Sequence, residues 1–135
     1  MKALNFLKEK TKGIAHNDQE FYEHCFNVYK ILKKLGQNED VCLAGLYHSI
    51  YDTDAFKLNI EIDRKEVVEQ IGKRAEDLVW SFCQLDNKEN YLLQEYPNFK
   101  DLFYISYANM LEQRNKLQET DIETMIAKYE HKLTI

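Results

Sequence analysis

Residues 18–51, DQEFYEHCFNVYKILKKLGQNEDVCLAGLYHSIY, read as two helices in succession, and their pattern decides the fold. In the first, Phe21, Cys25, Val28, Leu32 and Leu35 recur at helical spacing and form one apolar stripe. The spacing predicts a helix from about Asp18 to Leu35. Asn17 with Glu20 reads as a capping box at its start, and Gly36 supplies the left-handed stop. The second helix begins after Asn38, a good N-cap, with Glu39 and Asp40 complementing the dipole. Its body, VCLAGLYHSIY, is apolar on every side, which belongs in the middle of a bundle and places His48 in a buried element. Asp52, Thr53 and Asp54 follow where that helix should end. The short connection through Gly36 and Asn38 predicts antiparallel packing of the pair.

Working outward, a short helix near residues 2–11 is stopped by Gly13. Residues 55–62 read as a loop or short extended piece. A helix starts at Asp63, boxed with Glu66, and stops at Gly72; another covers about Lys73 to Leu85, with Ala75, Leu78, Val79, Phe82 and Leu85 on its stripe. The polar segment DNKENYLLQEYPN is the one long connection, with a helical turn at Tyr91 to Gln94. A helix from Phe99 to about Leu117 places Leu102, Phe103, Ser106, Asn109, Met110 and Leu117 inward. Thr120 with Glu123 forms a capping box for the last helix, carried by Ile122, Met125, Ile126, Tyr129 and Leu133. The expected architecture is all-α: one domain over residues 1–135, a compact bundle of about six or seven helices.

Composition agrees with that class. One Pro and four Gly leave few places for hairpins, and 44% hydrophobic residues suffice for a core. The net charge is -5 with neither sign in a block, so no basic face for a nucleic-acid polymer is evident. Three cysteines, Cys25, Cys42 and Cys83, lack CxxC spacing and fall among apolar neighbours; buried reduced thiols and a cytoplasmic location are expected. No apolar run reaches membrane-spanning length, and MKALNFLKEKTKG lacks the pattern of a signal peptide.

Chemistry centres on the histidines. His131 falls in the exposed last turn of the final helix, where it suits the dipole. His24 is one residue from the apolar stripe of one helix and His48 lies in the facing helix. Two buried imidazoles so placed suit a metal pair, or each is a core histidine satisfied by a backbone partner. Cys25 beside His24 and Ser49 beside His48 are not nucleophile–base pairs, because adjacent helical residues point about 100° apart. No phosphate-cradling glycine loop is present.

The stretch HNDQEFYEHCFNVYKILKKLGQNEDVCLAGLYHSIYDTD resembles the metal-binding heart of HD-domain proteins, most of all the hydrolase domain of the RelA/SpoT family. AGLYHS stands where that family has AALLHD, EVVEQIGKRAEDLV resembles its following helix, and ISYANMLEQRNKL its LADRLHNM helix. The likeness covers roughly residues 10–117. It is closer still to an uncharacterised HD-like subgroup with an HSxYxT motif, here His48, Ser49, Tyr51 and Thr53.

The resemblance implies a divalent ion, Mn, Fe or Zn, held by His24 and His48 with Ser49 and Asn109 at the positions of the family's two metal aspartates. Neutral oxygens there bind such ions more weakly than carboxylates. His16, eight residues before His24, is a further imidazole that can swing in. Asp52 takes the place of the family's acidic glutamate, as metal-linked ligand or general base. Alternatively Asp52 and Asp54 only finish a helix in solvent. Lys57, Arg64 and Arg114 would meet the phosphate, and Tyr51 with Tyr47 would line the cavity. Three readings follow: a metal-dependent phosphohydrolase acting on a nucleotide or small phosphate ester; a non-catalytic ligand- or partner-binding descendant; and an HD-type iron oxygenase, which needs more ligands than the chain offers.

Overall fold

The computed structural model describes residues 1–16, 18–117 and 120–134, and for residues 115–117 and 120 the backbone only. Within them run α1 (Lys2–Lys10), a hairpin of β1 (Ala15–His16) and β2 (Gln19–Glu20), α2 (Phe21–Lys34), α3 (Glu39–Leu46), α4 (Arg64–Ile71), α5 (Lys73–Gln84), α6 (Lys88–Glu95), α7 (Lys100–Leu117) and α8 (Thr120–Leu133). The fold is all-α, the hairpin being the one sheet among the described residues. None of the described helices is long and apolar enough to cross a membrane.

Phe21, Cys25, Val28 and Leu32 are buried along one side of α2 and seat it against α3 and α7. Each large apolar side chain so buried contributes roughly 1.5–3 kcal/mol. The approach of α3 depends on Gly45. A Cβ there would lie 2.3 Å from Leu32 Cδ1 and 3.2 Å from Val28 Cγ1, so a larger residue has to displace those side chains from the α2–α3 contact. Asn38 caps α3 by accepting from the Val41 N–H at 3.1 Å. Asp63 and Glu66 close the expected box at the start of α4. The thiols of Cys25, Cys42 and Cys83 are free and buried.

Four expectations are corrected. The α2 helix starts at Phe21, after the hairpin, and its capping box is Glu20 with Glu23; Asn17 lies outside the described residues, as do the side chains of Thr120 and Leu117. The α3 helix ends at Leu46. Bonds from Tyr47 N to Ala44 O and from His48 N to Gly45 O tighten the chain into turns, so His48 is buried just beyond the helix, not within it. The segment expected to be a connection holds a full helix, α6, which raises the count to eight among the described residues. Its buried residues are Lys88 and Leu92, and a charged buried position conceals the apolar face.

Candidate functional site

His24 projects from the buried side of α2, and His48 is presented to it by the turns that end α3. Their Nε2 atoms are 3.3 Å apart, with the rings edge to face. Both residues are buried, at 1% and 3% exposure, so their remaining nitrogens must find partners inside the protein. His48 Nδ1 lies 2.7 Å from the Gly45 carbonyl oxygen, which only accepts, so Nδ1 carries the proton. His24 Nδ1 lies 2.6 Å from Glu112 Oε1 on α7. With a carboxylate as acceptor, that nitrogen is the donor too.

The consequence is electrostatic. With both Nδ1 atoms as donors, both Nε2 atoms present lone pairs to each other, an arrangement that a proton or a metal ion between them would relieve. The separation is that of a long hydrogen bond and also suits a metal ion. Two imidazoles on one tetrahedral ion, each about 2.0–2.1 Å from it, put their nitrogens about 3.3–3.4 Å apart. The other ring nitrogens of metal-bound histidines are commonly held by a carboxylate or a backbone carbonyl, the partners Glu112 and Gly45 supply. Burial first, then the neighbouring His24, pushes the His48 imidazole down to about 3, which keeps it neutral and able to ligate.

The protein side of such a centre is a pair. No group of three or more His, Cys, Asp or Glu among the described residues is arranged to hold a metal ion. Glu112 meets His24 on the nitrogen that faces away from His48, so it stands behind the pair and is not a third ligand. His16, from β1, stacks on the His24 ring with centroids 4.2 Å apart, and thus covers its face. Phe56, from the segment after Thr53, stacks on Phe21 at 5.2 Å and meets His16 edge-on at 5.0 Å. Hairpin and loop together roof the histidine pair.

The other residues singled out from the sequence are placed elsewhere or engaged in the fold. Ser49 is buried next to His48. Asn109 does not join the histidines: it lines a cavity of about 230 Å³ with Glu89, Asn90, Gln113 and Asp121, between α6, α7 and α8. Asp52, at φ 67°, uses Oδ1 to accept from the N–H groups of Leu58 and Asn59 at 2.6 and 3.3 Å, so its carboxylate shapes the loop. Asp54 accepts from Asn87 N and from the buried Lys88 ammonium, and these hold its carboxyl below the usual range.

The basic residues divide in the same way. Arg64 forms a two-pronged contact with Glu76, at 2.7 and 2.9 Å, and lies over the Trp80 ring. The Tyr51 hydroxyl donates to the same Glu76, which is 1% exposed. Arg114 pairs with Glu123 at 2.8 Å. Lys57 is exposed. Glu112 is the site residue that the sequence reading missed.

Fold and site define an all-helical domain built round a buried imidazole pair backed by a carboxylate. Residues 6–87, more than half of the chain, match the family described as Domain of unknown function (DUF6817), and the chain belongs to that family. No curated protein and no solved structure matches it.

Proposed function

We propose that the chain is a metal-dependent phosphohydrolase of the HD type, acting on a nucleotide or another small phosphate ester, with His24 and His48 holding a divalent ion (Mn, Fe or Zn). The observation that carries this reading is the convergence of two imidazole lone pairs at 3.3 Å, with both Nδ1 atoms already committed as donors. The resemblance of residues 10–117 to HD hydrolase domains supplies the substrate class. A bound ion would polarise a phosphoryl oxygen or activate a water. The chain's own part is to present two neutral imidazoles and to hold them in place beneath the rings of His16 and Phe56. Asp52, Arg64 and Arg114 have partners in the fold, so no proton or phosphate role is assigned to them.

The burial of the pair favours a second reading, a non-catalytic ligand- or partner-binding domain. One experiment separates the two. Protein purified without chelator is analysed for metal, titrated with Mn²⁺, Fe²⁺ and Zn²⁺ by calorimetry, and assayed on bis-p-nitrophenyl phosphate. The proposal expects about one ion per chain, lost in His48→Gln, and metal-dependent release of nitrophenol. Metal binding without turnover leaves the second reading. No metal uptake by the folded protein overturns the metal site altogether.

A further inference from the structure

Glu112 is a charged group deep in the core, its side chain 3% exposed. A buried carboxylate is costly unless several donors meet it. Here Oε1 is 2.6 Å from His24 Nδ1, while Oε2 accepts from Asn27 Nδ2 at 3.1 Å and from Gln19 Nε2 at 3.3 Å. Those donors come from α2 and from the hairpin strand β2, so one carboxylate on α7 ties together the helix that carries His24 and the hairpin that carries His16. The charge also reaches Cys25, whose thiol is pushed well up by burial and then by Glu112.

We infer that Glu112 is a positioning residue for the imidazole pair: it fixes the His24 proton on Nδ1 and so turns the Nε2 lone pair of His24 toward His48. The inference rests on the proposed metal site for its consequence, but not for its geometry. A histidine has two ring nitrogens and in its neutral form one proton, so whichever nitrogen is bound to an acceptor decides which one is left to ligate. Gly45 makes that choice for His48 by a backbone carbonyl that no substitution of a side chain removes. For His24 the choice is made by a side chain, and it is reversible.

Glu112→Gln shows why. The amide has nearly the same shape, and turned with its NH₂ toward His24 it donates to Nδ1. His24 then carries its proton on Nε2 and donates it to the His48 lone pair. Every group stays satisfied, and the metal position is closed by an N–H.

The test has two readouts. In metal-free protein labelled with ¹⁵N-histidine, two-bond ¹H–¹⁵N correlation spectra report which ring nitrogens are protonated. Wild type is expected to show His24 protonated at Nδ1, and Glu112→Gln to show Nδ1 bare and Nε2 protonated. In calorimetric titration with Zn²⁺ or Mn²⁺, Glu112→Gln is expected to bind roughly 10- to 100-fold more weakly, with Glu112→Asp recovering part of the loss.

If wild type carries the His24 proton on Nε2 alone, or if Glu112→Gln leaves both tautomer and affinity unchanged, the inference is overturned. Should Glu112→Gln fail to fold by circular dichroism, the wild-type spectrum decides alone. Should wild type take up no metal, the proposed function fails, while the tautomer readout still judges Glu112.

Discussion

Gly45 holds His48 by its carbonyl oxygen, 2.7 Å from Nδ1, and the same residue, by lacking a side chain, lets α3 lie against Leu32 of α2. Backbone and missing Cβ thus set one distance between them, that from His48 to His24.

Gly45→Ala should therefore act twice. Forcing a methyl group into the core costs about 1–3 kcal/mol, and the better helix propensity of Ala returns up to about 1 kcal/mol. A net loss of about 1–2 kcal/mol is expected in urea unfolding, with weaker metal binding as the imidazoles separate. A variant more stable than wild type would show that α2 and α3 are not in tight contact there.

Arg64→Ala distinguishes a fold role from a phosphate role. It strips two hydrogen bonds from Glu76 and leaves a buried carboxylate on the Tyr51 hydroxyl. Leaving a buried charged acceptor short of donors costs about 2–3 kcal/mol, and thermal unfolding should register it. Affinity for a phosphate ester should stay within about twofold at temperatures where the variant is folded; a large loss of affinity with unchanged stability would return Arg64 to the substrate.

Asp52 is expected to behave as a loop anchor. Asp52→Asn keeps an oxygen for the Leu58 and Asn59 N–H groups and tolerates positive φ, so it should unfold within about 0.5 kcal/mol of wild type. Asp52→Ala loses the acceptor and strains the backbone, for a cost of about 1–3 kcal/mol. If the Asn variant instead abolishes hydrolysis at full stability, the carboxylate is a proton carrier after all.

Tyr107 links stability to alkaline pH. Burial, and the Glu130 carboxylate to which its hydroxyl donates at 2.7 Å, push it up to about 12. The folded value lies above the unfolded one, so the stabilisation is whole below about pH 10 and is lost as pH rises toward 12. The advantage of wild type over Tyr107→Phe, measured by urea unfolding, should shrink between about pH 9.5 and 11. An advantage constant across that range would mean the phenol titrates normally.

What could be read in the sequence was what repeats or caps. The stripe of α2, the Asp63–Glu66 box and the short Gly36 connection were legible, and they brought His24 and His48 to facing positions. Other parts carried no such signal. The α7 helix buries Leu102, Phe103, Ile105, Ser106, Tyr107, Ala108, Met110 and Glu112, which lie on all its sides, so periodicity gives no phase to say which residue faces α2. Asn109 was therefore aimed at the histidines when Glu112, three residues on, is the one that arrives. The α6 helix was hidden because its buried Lys88 reads as a loop charge until Asp54 is placed beside it.

The bond between His24 and Glu112 joins positions 88 residues apart in the chain. Contacts of such span form only after a large loop has closed, whereas α2 and α3 need no more than a short turn to meet. Synthesis runs in the same order: both histidines leave the ribosome before Glu112 has been made. For that interval nothing chooses between the two nitrogens of His24. The imidazole pair is thus finished from the far end of the chain, by a helix beyond residue 87, where the match to the family stops.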